Sequence, residues 1–211
     1  MKHIMFDIDG TLIQSYELDS QCFVSSVKSV LGVTPSADWG SYKHTTDSGI
    51  LREIISNLSL SVSFESIEEK VKQAFLSNLK AVINKQPIIP TDGAITFFDE
   101  LKDLKNFSVS IATGGWKESA IFKLESAGFD LKDVVMASAD DHYSRAEIMK
   151  HALPVSFQPE DVVYFGDGEW DKKACEELDF QFVLVGDRFT HSPQIPNFCQ
   201  GYETIEKVLS N

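Results

Sequence analysis

The sequence lacks features that several protein classes require. Its 211 residues include three cysteines, Cys22, Cys175 and Cys199, which lie far apart and outside any Cys-x-x-Cys spacing. This pattern supplies neither a disulfide framework nor the ligand spacing of a zinc site. No apolar run approaches the roughly 20 residues of a membrane-spanning helix, and the start, "MKHIMFDIDG", has acids where a signal peptide needs apolar residues. We therefore expect a cytoplasmic protein with no membrane partner.

Basic clusters and glycine-rich phosphate loops are also missing. Lysine and arginine number 19 against 32 acidic residues, a net charge of −13, which argues against a nucleic-acid partner. No Gly-x-x-x-x-Gly-Lys-Ser/Thr is present, and "FGDGEWD" does not complete Gly-x-Gly-x-x-Gly. These absences exclude the two commonest glycine-rich cradles for nucleotides.

Short apolar runs alternate with helical patterns along most of the chain. Apolar residues make up 43% of the sequence, and the runs, rich in β-branched residues, occupy positions 3–6, 107–112, 134–137, 162–165 and 181–185. Strands that alternate with helices are typical of βαβ units. We predict an α/β, Rossmann-like fold with a parallel sheet covered by helices on both faces.

The region from about 14 to 90 shows helical periodicity and no convincing strand. Its end, "QPIIPTDG", contains two prolines that discourage helix continuation. We predict an inserted α-helical cap over 14–90 and a catalytic domain built from 1–13 and 91–211. Within the cap, Asp47 is expected to be the N-cap residue of a helix. Trp116 and Trp170, outside it, are expected to line a pocket or pack between loop and cap.

Polar side chains follow the predicted strands where a ligand of an open parallel sheet would bind, outside their carboxyl ends. In a chain with 32 acidic residues, each signal alone arises easily by chance, so their joint placement carries the weight. The candidates from four strand ends are Asp7 and Asp9; Thr113 and Gly114; Asp167 and Asp171; and Arg145, after Asp140 and Asp141.

Asp7 and Asp9 in "HIMFDIDGTL" raise a charge problem, since close carboxylates repel one another unless water, a proton or a cation relieves them. An EF-hand calcium loop does not explain the pair, because Gly10 stands at the fourth position of the motif and that loop needs glycine at the sixth.

Four segments in order resemble the motifs of the haloacid dehalogenase superfamily: "DIDGTL" (7–12), "SIATGG" (110–115), Arg145 and "GDGEWD" (166–171). The insertion resembles the small helical cap of that superfamily. The third motif needs a lysine or arginine, and Lys150 is the alternative to Arg145.

The resemblance implies a Mg²⁺-dependent phosphatase that acts on a small phosphorylated metabolite. It implies that Asp7 is the nucleophile and that Asp9 exchanges a proton with the leaving alcohol and then with water. Mg²⁺ would be held by Asp7, the Asp9 carbonyl and Asp167, with Asp171 in support. Thr113, Gly114 and Arg145 would contact the phosphoryl group.

Three other functions are compared with the phosphatase. The dehalogenases of this superfamily lack an aspartate at the position of Asp9, so its presence favours phosphoryl transfer. A sugar phosphomutase would use the same aspartates, and a non-catalytic binding protein would keep the architecture alone. No sequence pattern indicates an oligomeric state.

Overall fold

The fold is built on one six-stranded parallel sheet. The structure is a computed structural model that describes residues 1–58, 63–154 and 157–209. The strand order is β3-β2-β1-β4-β5-β6, with β1 near the centre. The strands are β1 (Lys2–Phe6), β2 (Phe107–Ala112), β3 (Val135–Ala137), β4 (Val162–Gly166), β5 (Gln181–Val185) and β6 (Gln194–Ile195).

Five of these strands lie on the predicted apolar runs, and the α/β, Rossmann-like prediction is confirmed. The pair of residues that forms β6 was not predicted. The helices are α1 (Tyr16–Leu31), α2 (Asp47–Leu58), α3 (Phe64–Ile83), α4 (Ala94–Asp103), α5 (Lys117–Ser126), α6 (Arg145–Ala152), α7 (Glu169–Leu178) and α8 (Gly201–Leu209). Within the described residues, none of these helices is long and apolar enough to cross a membrane.

Helices cover both faces of the sheet because the central strands are apolar on both sides. In β1, Ile4 and Phe6 belong to one buried cluster and Met5 to the other. The first cluster includes side chains of α4 and α8, and the second includes side chains of α6 and α7. Continuous apolar strands of this kind are typical of parallel sheets that are buried on both faces.

Between β1 and α4 the described residues form α1, α2 and α3 and no strand of the sheet. Trp116, from the loop after β2, is 2% exposed and packs against Phe23 of α1 and Phe75 of α3, with ring centroids 5.8 and 5.7 Å apart. The apolar core therefore continues from the sheet into these helices. The domain limits at 13/14 and 90/91 stay predictions.

The expected N-cap role of Asp47 is wrong. Thr46 Oγ1 accepts the hydrogen bond from the Gly49 N–H at 3.0 Å, so Thr46 caps α2. Asp47 is already the first residue of α2, and its carboxylate accepts from the Trp116 N–H at 3.0 Å. Asp47 therefore links α2 to the loop after β2 by a hydrogen bond.

His3 of β1 makes stability depend on pH. It is fully buried, its Nε2 lies 2.8 Å from Ser110 Oγ, and its Nδ1 has no hydrogen-bond partner among the described residues. Burial lowers the pKa of His3 from 6.5 to about 4. Between these values the unfolded chain binds a proton that the folded chain does not, so stability falls as pH falls from 6.5 to 4.

We predict that the loss attributable to His3 is on the order of 3 kcal/mol at pH 4. Urea unfolding at a series of pH values measures it. His3→Gln, which keeps a hydrogen-bonding group near Ser110, should flatten the curve in this window. An unchanged slope in His3→Gln would show that other groups cause the acid sensitivity.

Candidate active site

Strand register brings the first group of candidate residues together. Phe6 of β1 is level with Ile111 of β2 and with Phe165 of β4. Asp7 therefore follows directly at the sheet edge, where its N–H donates to the Phe165 carbonyl at 2.9 Å. Thr113 and Asp167 each lie two residues beyond those partners, so the carboxyl ends of three adjacent strands deliver Asp7, Thr113 and Asp167 to one place.

Arg145 begins α6 and reaches back to this edge. Its Nη1 lies 3.2 Å from Asp7 Oδ1 and 2.8 Å from Asp171 Oδ1. Burial acts to lower the pKa of Arg145, but Asp171 and Asp7 outweigh it and raise that pKa. Lys150, the alternative cation, lies on the exposed side of α6 and pairs with Glu147 at 2.7 Å. The structure thus brings Arg145, and not Lys150, to the candidate residues.

Gly114 allows this close approach. A Cβ at position 114 would stand 2.4 Å from Nη2 of Arg145 and 3.0 Å from the Thr45 carbonyl oxygen. Nη2 donates to that same carbonyl at 3.3 Å. Thr113 is 1% exposed, and its Oγ1 accepts from the Gly115 N–H at 3.2 Å. No described residue accepts a hydrogen bond from the Thr113 O–H, which can therefore point toward a ligand.

Three buried carboxylates form a cluster that resembles a cation site. Oxygens of Asp7, Asp167 and Asp171 lie within 4.8 Å of one another. Arg188 Nε is 2.8 Å from Asp167 Oδ2, but that pair lacks hydrogen-bond geometry, and neither Asp167 oxygen has a hydrogen bond within the described residues. Burial, followed by the charge of Asp171, raises the pKa of Asp167 to about 7.

The pKa values of the other two carboxyl groups in this cluster shift in the same direction. Burial, followed by the charge of Asp171, raises the pKa of Asp7 well above its ordinary range, while Arg145 opposes the shift. Burial also raises the pKa of Asp171, against Arg145 and the Gly168 N–H, which donates to Oδ2 at 3.1 Å. An additional cation beside these three carboxyl groups would lower their pKa values and so favour their ionised forms.

Asp9 has a different environment from Asp7. Both of its carboxylate oxygens lie 2.6 Å from Nζ of Lys123, a fully buried lysine of α5. Lys123 also donates to the carboxylate of Asp19 on α1. The two aspartates of "DIDG" therefore have different cationic partners, because Asp7 pairs with Arg145 and Asp9 pairs with Lys123.

Six of the seven candidate residues line a cavity of about 80 Å³, and the seventh, Asp171, is fully buried and does not line it. The strand ends contribute one part of its wall, including Asp7, Asp9, Thr113, Gly114 and Asp167, and Arg145 of α6 lies beside them. The rest comes largely from the stretch between β1 and α4 that contains α1, α2 and α3, called the inserted segment below. Its lining residues are Tyr16, Asp19, Ser20, Phe23, Trp39, Thr45, Thr46, Asp47 and Ile50. Of the two alternatives predicted for the tryptophans, Trp170 lines this cavity, and Trp116 packs between the loop after β2 and helices α1 and α3.

A family model supplies the decisive comparison. The model of the haloacid dehalogenase-like hydrolases matches residues 4–185, a span that includes all seven candidate site residues. The chain belongs to this family.

Solved structures share the fold of this haloacid dehalogenase-like hydrolase at low sequence identity. CbbY from Rhodobacter sphaeroides in complex with phosphate has 15% identity and a TM-score of 0.73 over 95% of this chain and 96% of its own. β-Phosphoglucomutase from Clostridium difficile has 14% identity and a TM-score of 0.73 over 100% of this chain and 97% of its own.

A haloacid dehalogenase-family hydrolase from Entamoeba histolytica has 19% identity and a TM-score of 0.72 over 100% of both chains. No curated protein sequence matches this hydrolase significantly.

Sequence reasoning missed three charged residues of the hydrolase that pair with candidate residues or with one another: Arg188, Lys123 and Asp19. Arg188 follows β5, so examining the residues after that strand, as for the other strands, would have found it. Lys123 shares the buried face of α5 with Ala120 and Leu124, and a lysine on an apolar face is the signal that was available. Asp19, at the start of α1, carried no signal beyond an acid near a helix N-terminus.

We predict that Arg145→Met destabilises the fold at pH 8 by about 3–5 kcal/mol, because Asp7 and Asp171 are left as buried, unpaired charges. The loss should shrink as the pH is lowered, because the raised pKa values of Asp7 and Asp171 favour their neutral forms. Urea unfolding measures both. Lys150→Met is the matched control and should change stability by about 0.5 kcal/mol or less. Equal effects of the two substitutions would contradict the assignment of Arg145 to the site.

Proposed function

We propose that this hydrolase is a Mg²⁺-dependent phosphatase that cleaves small phosphate monoesters through an aspartyl-phosphate intermediate on Asp7. One observation carries the proposal. The Asp7 carboxylate is buried at a cavity wall where a guanidinium, a threonine hydroxyl and two further carboxylates converge. A carboxylate is nucleophilic without losing a proton, so it needs no partner base.

The carboxylate cluster fits a hard divalent cation. Mg²⁺ prefers oxygen ligands, and Asp167 has two buried oxygens without a hydrogen bond from any described residue. We propose that Asp7, the Asp9 backbone carbonyl and Asp167 hold the ion. Asp171 would support the site from behind, because Arg145 and the Gly168 N–H already occupy its oxygens. When bound, the ion would neutralise charge on the phosphoryl group and the carboxylates.

The other residues would bind and orient the phosphoryl group. Arg145, fixed by Asp171, would hold Asp7 in place and pair with a phosphoryl oxygen. Thr113 would donate its free O–H, and Gly114 gives the backbone and the guanidinium room to approach the substrate. The site would thus stabilise the charge that develops as Asp7 attacks phosphorus.

Asp9 would serve the leaving group. As the new bond between Asp7 and phosphorus forms, the bond from phosphorus to the ester oxygen breaks. Its electron pair remains on that oxygen, which takes the proton of the Asp9 carboxyl. Asp9 would then accept a proton from the water that hydrolyses the aspartyl phosphate, which restores Asp7 and releases inorganic phosphate.

The cavity offers space for the phosphoryl end of a substrate. A space of about 80 Å³ has room for a phosphoryl group and a few further atoms, and the inserted segment supplies much of the wall beyond the strand ends. We therefore propose that residues 14–90 act as the cap that selects the substrate over a catalytic domain of 1–13 and 91–211.

A panel of phosphate esters assayed with Mg²⁺ tests the proposed function. Release of inorganic phosphate from at least one small ester supports a phosphatase. An isomeric sugar phosphate from a hexose phosphate would instead support a mutase. Failure on the whole panel, together with no Mg²⁺ binding by calorimetry, would support a non-catalytic protein.

We predict that Asp7→Asn reduces phosphate release from the best ester by at least about 10⁴-fold, since an amide cannot form the aspartyl phosphate. The variant should remain folded, which circular dichroism checks. Asp99→Asn is the control, because Asp99 is an exposed carboxylate on α4 that pairs with Lys102. Wild-type turnover by Asp7→Asn would rule out the assigned nucleophile.

We predict that Mg²⁺ stabilises the wild-type protein by about 3 kcal/mol when present at about 100 times its Kd. For a chain of this size, that is an increase in Tm of about 5–10 °C. Thermal unfolding with and without the ion measures it. Asp167→Asn should lose most of the increase, and Asp99→Asn should keep it. An equal increase in Asp167→Asn would place the ion elsewhere.

A further inference from the structure

Lys123 is a buried charge that the proposed chemistry does not yet use. Its side chain is 0% exposed, and its Nζ lies 2.6 Å from both oxygens of Asp9 while it also donates to Asp19. A buried ammonium costs several kcal/mol in lost hydration, which its partners must offset. A lysine held in this way, beside the proposed proton donor, calls for a functional explanation.

The three residues of this ion cluster come from separate parts of the fold. Asp9 belongs to the loop after β1, Lys123 to the middle of α5, and Asp19 to the first turn of α1 in the inserted segment. Ser15 also donates to Asp9 Oδ1, at 2.5 Å. The Asp9 carboxylate is therefore fixed from two sides.

The Asp9 carboxylate lies at the cavity in which the reaction would take place. Asp9 and Thr113 both line the cavity that contains Asp7. A Cβ built on Gly115 would lie 3.6 Å from Thr113 Oγ1 and 4.0 Å from Asp9 Oδ2, so these two atoms approach the same small region. A proton donor must stand within hydrogen-bond reach of the leaving oxygen, and its orientation therefore matters as much as its identity.

We propose that Lys123 is a positioning residue for the phosphatase reaction. It holds the Asp9 carboxyl toward the leaving oxygen and, through Asp19, links that orientation to α1 of the inserted segment. Lys123 does not touch the substrate. Because Asp19 also holds the ammonium, Lys123 keeps an anionic partner while the Asp9 carboxyl is protonated, and it pairs with the Asp9 carboxylate once the proton has passed to the leaving oxygen. This inference rests on the proposed function, in which Asp9 is the proton donor.

The choice of leaving group separates positioning from a purely structural role. An alkyl alcohol is a poor leaving group that needs the proton, whereas 4-nitrophenolate leaves without one. A substitution that only loosens the fold should slow both esters equally. A substitution that misplaces the Asp9 carboxyl should lower kcat/KM selectively for the alkyl ester, because kcat/KM reports the step in which the alcohol leaves and not the later hydrolysis, in which Asp9 acts on both esters alike.

The experiment compares ethyl phosphate with 4-nitrophenyl phosphate in the wild-type protein and in Lys123→Met, an apolar replacement of similar length. We expect kcat/KM for the alkyl ester to fall by about 100-fold and kcat/KM for the aryl ester by about threefold or less. Equal losses on the two esters would overturn the proposal. If the wild-type protein hydrolyses neither these two esters nor any other ester of the panel, the proposed function itself fails.

A second variant and a matched control complete the test. If Lys123→Met does not fold, Asp19→Asn leaves the lysine in place but removes the link to α1, and we expect a selective loss of about 10-fold on the alkyl ester. Lys72→Met breaks another ion pair between the inserted segment and the core, with Asp140, without touching Asp9. It should leave the ratio of the two rates unchanged. A selective loss in Lys72→Met, or none in Asp19→Asn, would contradict the proposed link.

Discussion

Repulsion between buried carboxylates is the constraint on which this site depends. Oxygens of Asp7, Asp167 and Asp171 lie within 4.8 Å of one another, at positions too buried for water to screen them. Arg145 lies between Asp7 and Asp171, and Lys123 plays the same part for Asp9 and its neighbour on α1. Because each cation comes from a different element than the acids it pairs with, these ion pairs form only in the assembled fold.

The parallel sheet makes that assembly possible. Register aligns the ends of β1, β2 and β4, and the helices that follow the strands return cations to the same edge. The close approach of these side chains leaves no room for a side chain at some neighbouring backbone positions. Gly10 has φ +84°, and a Cβ there would lie 2.1 Å from Asp167 Oδ2. A side chain at position 10 would therefore both strain the turn and displace a carboxylate of the proposed cation site.

The parts of the site that follow strands could be predicted, since strand ends combine a local apolar pattern with a polar residue directly after it. Asp7, Thr113 and Asp167 were found in this way, and the structure brings them together. Lys123 was missed because its partners lie more than 100 positions away in the chain, so no local spacing connects them. The two-residue strand β6 was missed for a related reason: its pairing with β5 is tertiary, and its sequence is too short to show periodicity.

The charge balance also explains why the proposed cation and a phosphate ester would depend on each other. The three clustered carboxylates outnumber the two guanidinium groups beside them, Arg145 and Arg188. A phosphate dianion added to this edge alone would increase the excess of negative charge in a buried site, where screening is weak. A divalent ion held by the same carboxylates would remove that penalty, so each ligand should strengthen the binding of the other by the same factor. The oxygens of Asp167, which accept no hydrogen bond from the described residues although Arg188 lies beside one of them, are thus better understood as an arrangement for a ligand than as a defect of packing.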